Sequence, residues 1–162
     1  MMRSGVGRWL YRLARWGLGA VFIYAGALKI SEPEVFAVLI GAYGLLPEFL
    51  LLPMAVFLAS LEIVAGFGLL FDLRGSLAAV TGMLLLFIAV LSYGLWMGLD
   101  VDCGCFGPDD PEAEAFHGLK TSLYRDLVMM VGVVFIYGWR RFAGIVPVSI
   151  GAVILTKRRK SR

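Results

Sequence analysis

Four long apolar runs, separated by short polar segments, restrict what this chain can fold into more than any other feature. The runs cover residues 16–30, 49–71, 76–99 and 119–139, and the first can be extended back to Trp9. A helix needs about 20 mostly apolar residues to cross a bilayer. Charged residues make up only 17% of the 162 residues, whereas soluble domains carry roughly 25%. We therefore predict an all-α, integral membrane four-helix bundle that forms one domain over residues 1–162.

The remaining segments predict how the four transmembrane helices are connected. Residues 31–48, with Pro33 and Pro47 near the two ends, predict a short helix along the membrane surface. Residues 72–75 predict a tight turn. Residues 142–156 are apolar but short, and four basic residues follow them. We interpret residues 142–162 as an interfacial segment with a basic tail; the alternative, a fifth span, would place the basic cluster outside the cytoplasm.

The basic residues predict the orientation of the bundle. They precede the first span, lie between the second and third, and follow the fourth: Arg3, Arg8, Arg12, Arg15, Arg74, Arg140 and Arg141. Lys and Arg favour the cytoplasmic side of a membrane. Residues 1–15 are therefore expected in the cytoplasm, and residues 100–118 outside it. We predict a multi-pass protein of the bacterial cytoplasmic membrane.

The predicted outer loop carries both cysteines of the chain, Cys103 and Cys105, with Gly104 between them. Disulfides persist outside the cytoplasm. A ring closed over one intervening residue is tight, and strained, exposed disulfides exchange readily. The pair therefore favours thiol–disulfide exchange, with a static staple, free thiols or metal ligation as alternatives. The spacing matches no standard zinc pattern. His117, in the same loop, is either a solvated residue or a group that activates a thiol.

Four ionisable residues fall inside the predicted spans: Lys29, Glu62, Arg125 and Asp126. Charges in a bilayer are costly and usually face the bundle interior or a cavity. One interpretation is structural, with Asp126 paired to Lys29 and Glu62 paired to Arg125. The other is a polar pocket beneath the cysteines that carries protons or holds the head of a quinone.

Several segments resemble MauE-like and DoxX-like membrane proteins. The resemblance covers about residues 16–140 and is carried by GAVFIYAGALKI at 19–30, by Pro33, Phe36, Tyr43 and Pro47, by Glu62 in LEIVAG at 61–66, by DCGCFG at 102–107, and by Arg125-Asp126.

The resemblance implies a redox function. MauE-like proteins are associated with methylamine utilisation beside a thioredoxin-like periplasmic partner, and are thought to assist disulfide formation. DoxX relatives are linked to quinone-coupled oxidation of thiols or thiosulfate. The bundle is also similar to quinone-linked disulfide-forming oxidases and vitamin K epoxide reductases. Those enzymes use two cysteine pairs, whereas this chain has one, so either the pair meets the cofactor itself or a partner supplies the second pair.

We therefore expect a membrane thiol–disulfide redox protein that exchanges electrons between an extracytoplasmic thioredoxin-like partner and the membrane, with quinone as the candidate cofactor. Cys103 and Cys105 would carry the exchange. Lys29 and Arg125 would stabilise a thiolate or a quinone anion, and Glu62 and Asp126 would handle protons or orient those cations. The alternatives are a non-catalytic membrane subunit or assembly factor, and a carrier of small molecules or sulfur compounds.

Overall fold

The computed structural model describes residues 5–98 and 118–144, and this part of the chain is helical throughout, without β-strands. The helices are α1 (Gly5–Ser31), α2 (Pro33–Ala42), α3 (Glu48–Leu70), α4 (Ser76–Trp96) and α5 (Gly118–Ala143). The all-α prediction is confirmed. The short helix predicted after the first span is α2, which starts with Pro33 at its first turn and packs against α3.

Among the described residues, three helices are long and apolar enough to cross a membrane: Gly7–Ser31, Glu48–Leu70 and Ser76–Trp96. They correspond to the first three predicted spans. The fourth predicted span lies within α5, which has 26 residues and a length of about 39 Å. That α5 also crosses the membrane stays a prediction. Residues 145–162 of the predicted interfacial segment 142–162 and most of the loop at 100–118 lie outside the described residues, whereas Phe142 and Ala143 belong to α5.

The four long helices form a ring in which each helix is antiparallel to its neighbours. α1 packs along α3, α3 along α4, α4 along α5, and α5 returns to α1. The closest approach is between α1 and α3, where glycines face the opposite backbone. A Cβ placed on Gly66 would lie 2.8 Å from the Gly19 carbonyl oxygen, and one on Gly26 would lie 2.8 Å from the Ala59 carbonyl oxygen. Small residues at such crossings let membrane helices pack closely.

The predicted tight turn joins α3 to α4 and is a Schellman motif. The Leu73 amide donates to the Gly68 carbonyl over 2.8 Å, and the Asp72 amide donates to the Leu69 carbonyl over 3.2 Å. Asp72 has a φ of +56°, at the position where glycine is usual. A non-glycine residue in this conformation needs compensating contacts.

Those contacts come from α1 and α5. Arg15 Nη1 lies 2.9 Å from Asp72 Oδ2, Arg140 pairs with Asp72 Oδ1, and the Tyr11 hydroxyl donates to Oδ2 over 3.2 Å. Arg140 Nε also donates to the Tyr11 oxygen over 3.1 Å. Because Arg15, Asp72 and Arg140 meet, the start of α1, the α3–α4 turn and the end of α5 lie at one end of the bundle. We call this the Asp72 end.

Candidate functional site

The ion pair between Lys29 and Glu62 lies near the middle of the bundle, since Glu62 is eight residues before the end of α3 at Leu70 and fourteen after its start at Glu48. Lys29 Nζ is 2.5 Å from Glu62 Oε1, and the two side chains are 24% and 2% exposed. Side chains on a helix lean toward its N-terminus. Because α1 and α3 are antiparallel, the Lys29 and Glu62 side chains lean toward each other along the α1–α3 contact, which explains how residues near different heights of the bundle meet.

Two aromatic rings complete the surroundings of the Lys29 ammonium group. Nζ lies 5.0 Å from the ring centre of Phe36 on α2 and 4.7 Å from that of Phe87 on α4. A cation over an aromatic face is attracted to the ring, more strongly where water is excluded. These contacts, together with Glu62, hold the ammonium group between α1, α2, α3 and α4.

The second ion pair is formed within α5. Arg125 Nε and Nη2 both donate to Asp126 Oδ1 over 3.3 Å. The Asp126 side chain is 3% exposed, whereas that of Arg125 is 52% exposed. The carboxylate therefore faces the bundle interior while the guanidinium reaches over it toward the surface.

Both ion pairs line one cavity of about 30 Å³. Its remaining walls are apolar and come from α1, α4 and α5: Val21, Phe22, Ala25, Leu84, Phe87 and Met129. The four ionisable residues predicted to converge thus do so in the structure. The interpretation of their partners was wrong, since Lys29 pairs with Glu62 rather than Asp126, and Arg125 pairs with Asp126 rather than Glu62.

The size of this cavity bears on what it can hold. One water molecule needs about 10–15 Å³ of cavity volume, whereas pockets that bind cofactors and drug-sized ligands typically measure 300–1,000 Å³. The cavity therefore fits one or two waters and does not fit a quinone ring. Quinone stays a prediction that the packing of these residues does not support.

Cys103, Cys105 and His117 lie outside the described residues, but both attachment points of their loop are described. The loop leaves after Gly98 and returns at Gly118, at the end of the bundle opposite Asp72. A Cβ on Gly94 would lie 2.6 Å from Tyr43 Cε1 and 2.8 Å from Leu119 Cδ2, so α2, α4 and α5 meet there. Burial raises the pKa of the Tyr43 phenol. The cysteine loop is thus attached at the end of the bundle opposite Asp72, and Arg125 follows its attachment point Gly118 by seven residues, or about 10 Å along α5.

The ion-pair network at the Asp72 end was not predicted from the sequence. Asp72 was assigned only to a turn, although it is an acidic residue within the turn between two apolar runs, on the side where Arg15 and Arg140 were expected. An acid among arginines at one end of a bundle was the signal that could have indicated a shared ion pair.

The chain is similar to a known protein family. The family described as methylamine utilisation protein MauE matches residues 7–146, which include all five helices except the first two residues of α1. No curated protein and no solved structure matches the chain. The match and the three apolar helices indicate a multi-pass membrane protein. The chain belongs to the MauE family.

Proposed function

We propose that this protein is a membrane thiol–disulfide redox protein, which exchanges electrons with an extracytoplasmic thioredoxin-like partner through Cys103 and Cys105, with quinone as the candidate electron acceptor or donor in the membrane. In this proposal α5 is the fourth span and the Asp72 end faces the cytoplasm, where the basic residues favour it. One observation carries the proposal: the cysteine loop joins α5 at Gly118, seven residues before Arg125, which lines the charged cavity in the middle of the bundle together with Lys29, Glu62 and Asp126.

The exchange proceeds through a mixed disulfide. A thiolate of the partner attacks one sulfur of the Cys103–Cys105 disulfide and displaces the other cysteine as a thiolate. The second partner thiolate then attacks the partner's own sulfur, which leaves the partner oxidised and the pair reduced. Two electrons and two protons pass from the partner dithiol to the pair. The reverse sequence oxidises the pair and reduces the partner, so the same chemistry serves either direction.

Arg125 is the member of the charged group that reaches the surface, with 52% of its side chain exposed. A nearby cation favours the thiolate form of a cysteine. Asp126 binds the inner side of the Arg125 guanidinium. The outer side of the guanidinium would stabilise the thiolate that is displaced from the cysteine loop. In the proposal Arg125 therefore lowers the energy of the leaving thiolate without taking part in the bond changes.

A non-catalytic membrane subunit is the second candidate, and the pairing favours it. Each buried carboxylate already has a cation partner, and the Lys29–Glu62 pair, which joins α1 to α3, suffices to hold these two helices in register. A carrier is less well supported, since a cavity of about 30 Å³ holds only water-sized molecules.

Trapping of the mixed disulfide separates the two candidates. Cys103→Ser and Cys105→Ser each remove one thiol, so the variant that keeps the attacked cysteine should accumulate a covalent complex with a thioredoxin-like protein. The complex should disappear with a reducing agent and be absent from the Cys103→Ser/Cys105→Ser double variant. If neither single variant traps a thioredoxin-like protein while the double variant keeps full function in cells, the subunit candidate replaces the proposal.

A further inference from the structure

One oxygen of Glu62 is left without a partner in the buried ion pair. Oε1 accepts from Lys29, but within the described part of the chain no donor reaches Oε2, which is fully covered. The residue as a whole is 2% exposed. A buried acceptor without a hydrogen bond is costly, and more so if it belongs to an ion. A carboxylate buried this deeply requires a hydrogen-bond donor at Oε2.

The cavity beside Glu62 supplies the room. It has about twice the volume that one water needs, at about 30 Å³. Lys29, Arg125 and Asp126 line it together with Glu62, so a water there has polar partners on α1, α3 and α5. Dry cavities in proteins are lined by apolar groups alone, whereas four of the ten residues that line this one are charged.

We propose that the cavity is an internal water site, in which a bound water donates hydrogen bonds to the unpartnered Oε2 of Glu62 and to the Asp126 carboxylate. The site goes beyond the proposed thiol exchange, because it needs neither cysteine.

Filling the cavity tests the water. Ala25 lines the cavity, whereas Ala27 on the same helix is exposed. Ala25→Val should lower the temperature of thermal unfolding relative to Ala27→Val, because it displaces the water from Glu62. In a Lys29→Met/Glu62→Met background the same change should cost little, since no charged acceptor remains. An equal loss in both backgrounds would show a steric cost only, and no loss in either would show a dry cavity; both outcomes contradict the water site.

The same comparison is also made in the Cys103→Ser/Cys105→Ser variant, where the cost of Ala25→Val should be unchanged. If this cost disappears with the cysteines, the water site is not independent of the thiols and the proposal fails. If thiol exchange itself is disproved by the trapping experiment, the cost of Ala25→Val remains as predicted.

Discussion

Replacement of Asp72 tests how the end of the bundle opposite the cysteine loop is held. Its φ of +56° costs a non-glycine residue about 1–2 kcal/mol. The Asp72→Gly change removes that cost and restores the residue that a Schellman turn favours. It also removes the carboxylate that pairs with Arg15 and Arg140. The sign of the effect therefore shows which of the two contributions is larger.

The structure indicates that the ion pairs are larger. The side chains of Arg15, Asp72 and Arg140 are 11%, 14% and 12% exposed, so the pairs are largely shielded from water. Removal of one partner of a buried pair costs about 3–5 kcal/mol. Asp72→Ala should lose that full amount, because alanine keeps the strain. Asp72→Gly should lose about 1–4 kcal/mol, the same cost less the 1–2 kcal/mol of strain.

Asn at this position separates the charge from the conformation. Asparagine tolerates the left-handed region better than most residues and keeps one acceptor oxygen, so Asp72→Asn should be the mildest of the three changes. Unfolding in detergent, followed by circular dichroism, gives the order of stability. Arg74→Ala is the matched control, since Arg74 is exposed in the same turn. A glycine variant more stable than the wild type would refute the argument that the Asp72 ion pairs hold this end together.

Three further results are expected from the same structure. Gly66→Ala should destabilise the protein by roughly 1–3 kcal/mol, since its Cβ would lie 2.8 Å from the Gly19 carbonyl oxygen. The matched Gly82→Ala, which has open space around it, should stabilise the protein by about 0.5–1 kcal/mol. Equal effects of the two changes in denaturant unfolding would contradict the tight α1–α3 contact. Glu62→Gln should be less stable than Lys29→Met/Glu62→Met, because a single change leaves an unpaired buried charge; the reverse order in thermal unfolding would contradict the pairing. A cysteine placed at Asp110 in a thiol-free background should be labelled from outside the cell, and one at Arg74 only after permeabilisation; external labelling at position 74 would overturn the orientation.

Element positions were largely predictable because apolar length is a strong signal in membrane proteins. The second span was predicted at residues 49–71 and α3 occupies Glu48–Leu70; the third was predicted from residue 76, where α4 begins. The start of α1 was harder to locate. Basic residues alternate with apolar ones between Arg8 and Arg15, and the helix extends through them to Gly5. An amphipathic helix can continue into the membrane interface because its residues need not all be apolar there.

The partners of the buried charges were not predictable in the same way. The spacing along the chain identified Lys29, Glu62, Arg125 and Asp126 as interior residues, but not which would meet. That choice depends on how each helix is rotated about its axis and on the direction in which its side chains lean. Lys29 and Glu62 lean toward each other on antiparallel helices, and this puts Nζ within 2.5 Å of Oε1. Arg125 and Asp126 are neighbours on α5, and only the three-dimensional packing shows that the guanidinium folds back over the carboxylate.

A redox titration of Cys103 and Cys105 tests the central claim most directly. Purified full-length protein is equilibrated in buffers of graded thiol–disulfide poise, and free thiols are counted by alkylation and mass. The proposed exchange predicts a reversible two-electron transition at a potential above about −300 mV, the value below which structural disulfides lie. A pair that stays oxidised below about −300 mV, as structural disulfides do, or one that forms no disulfide at any poise, would contradict the account.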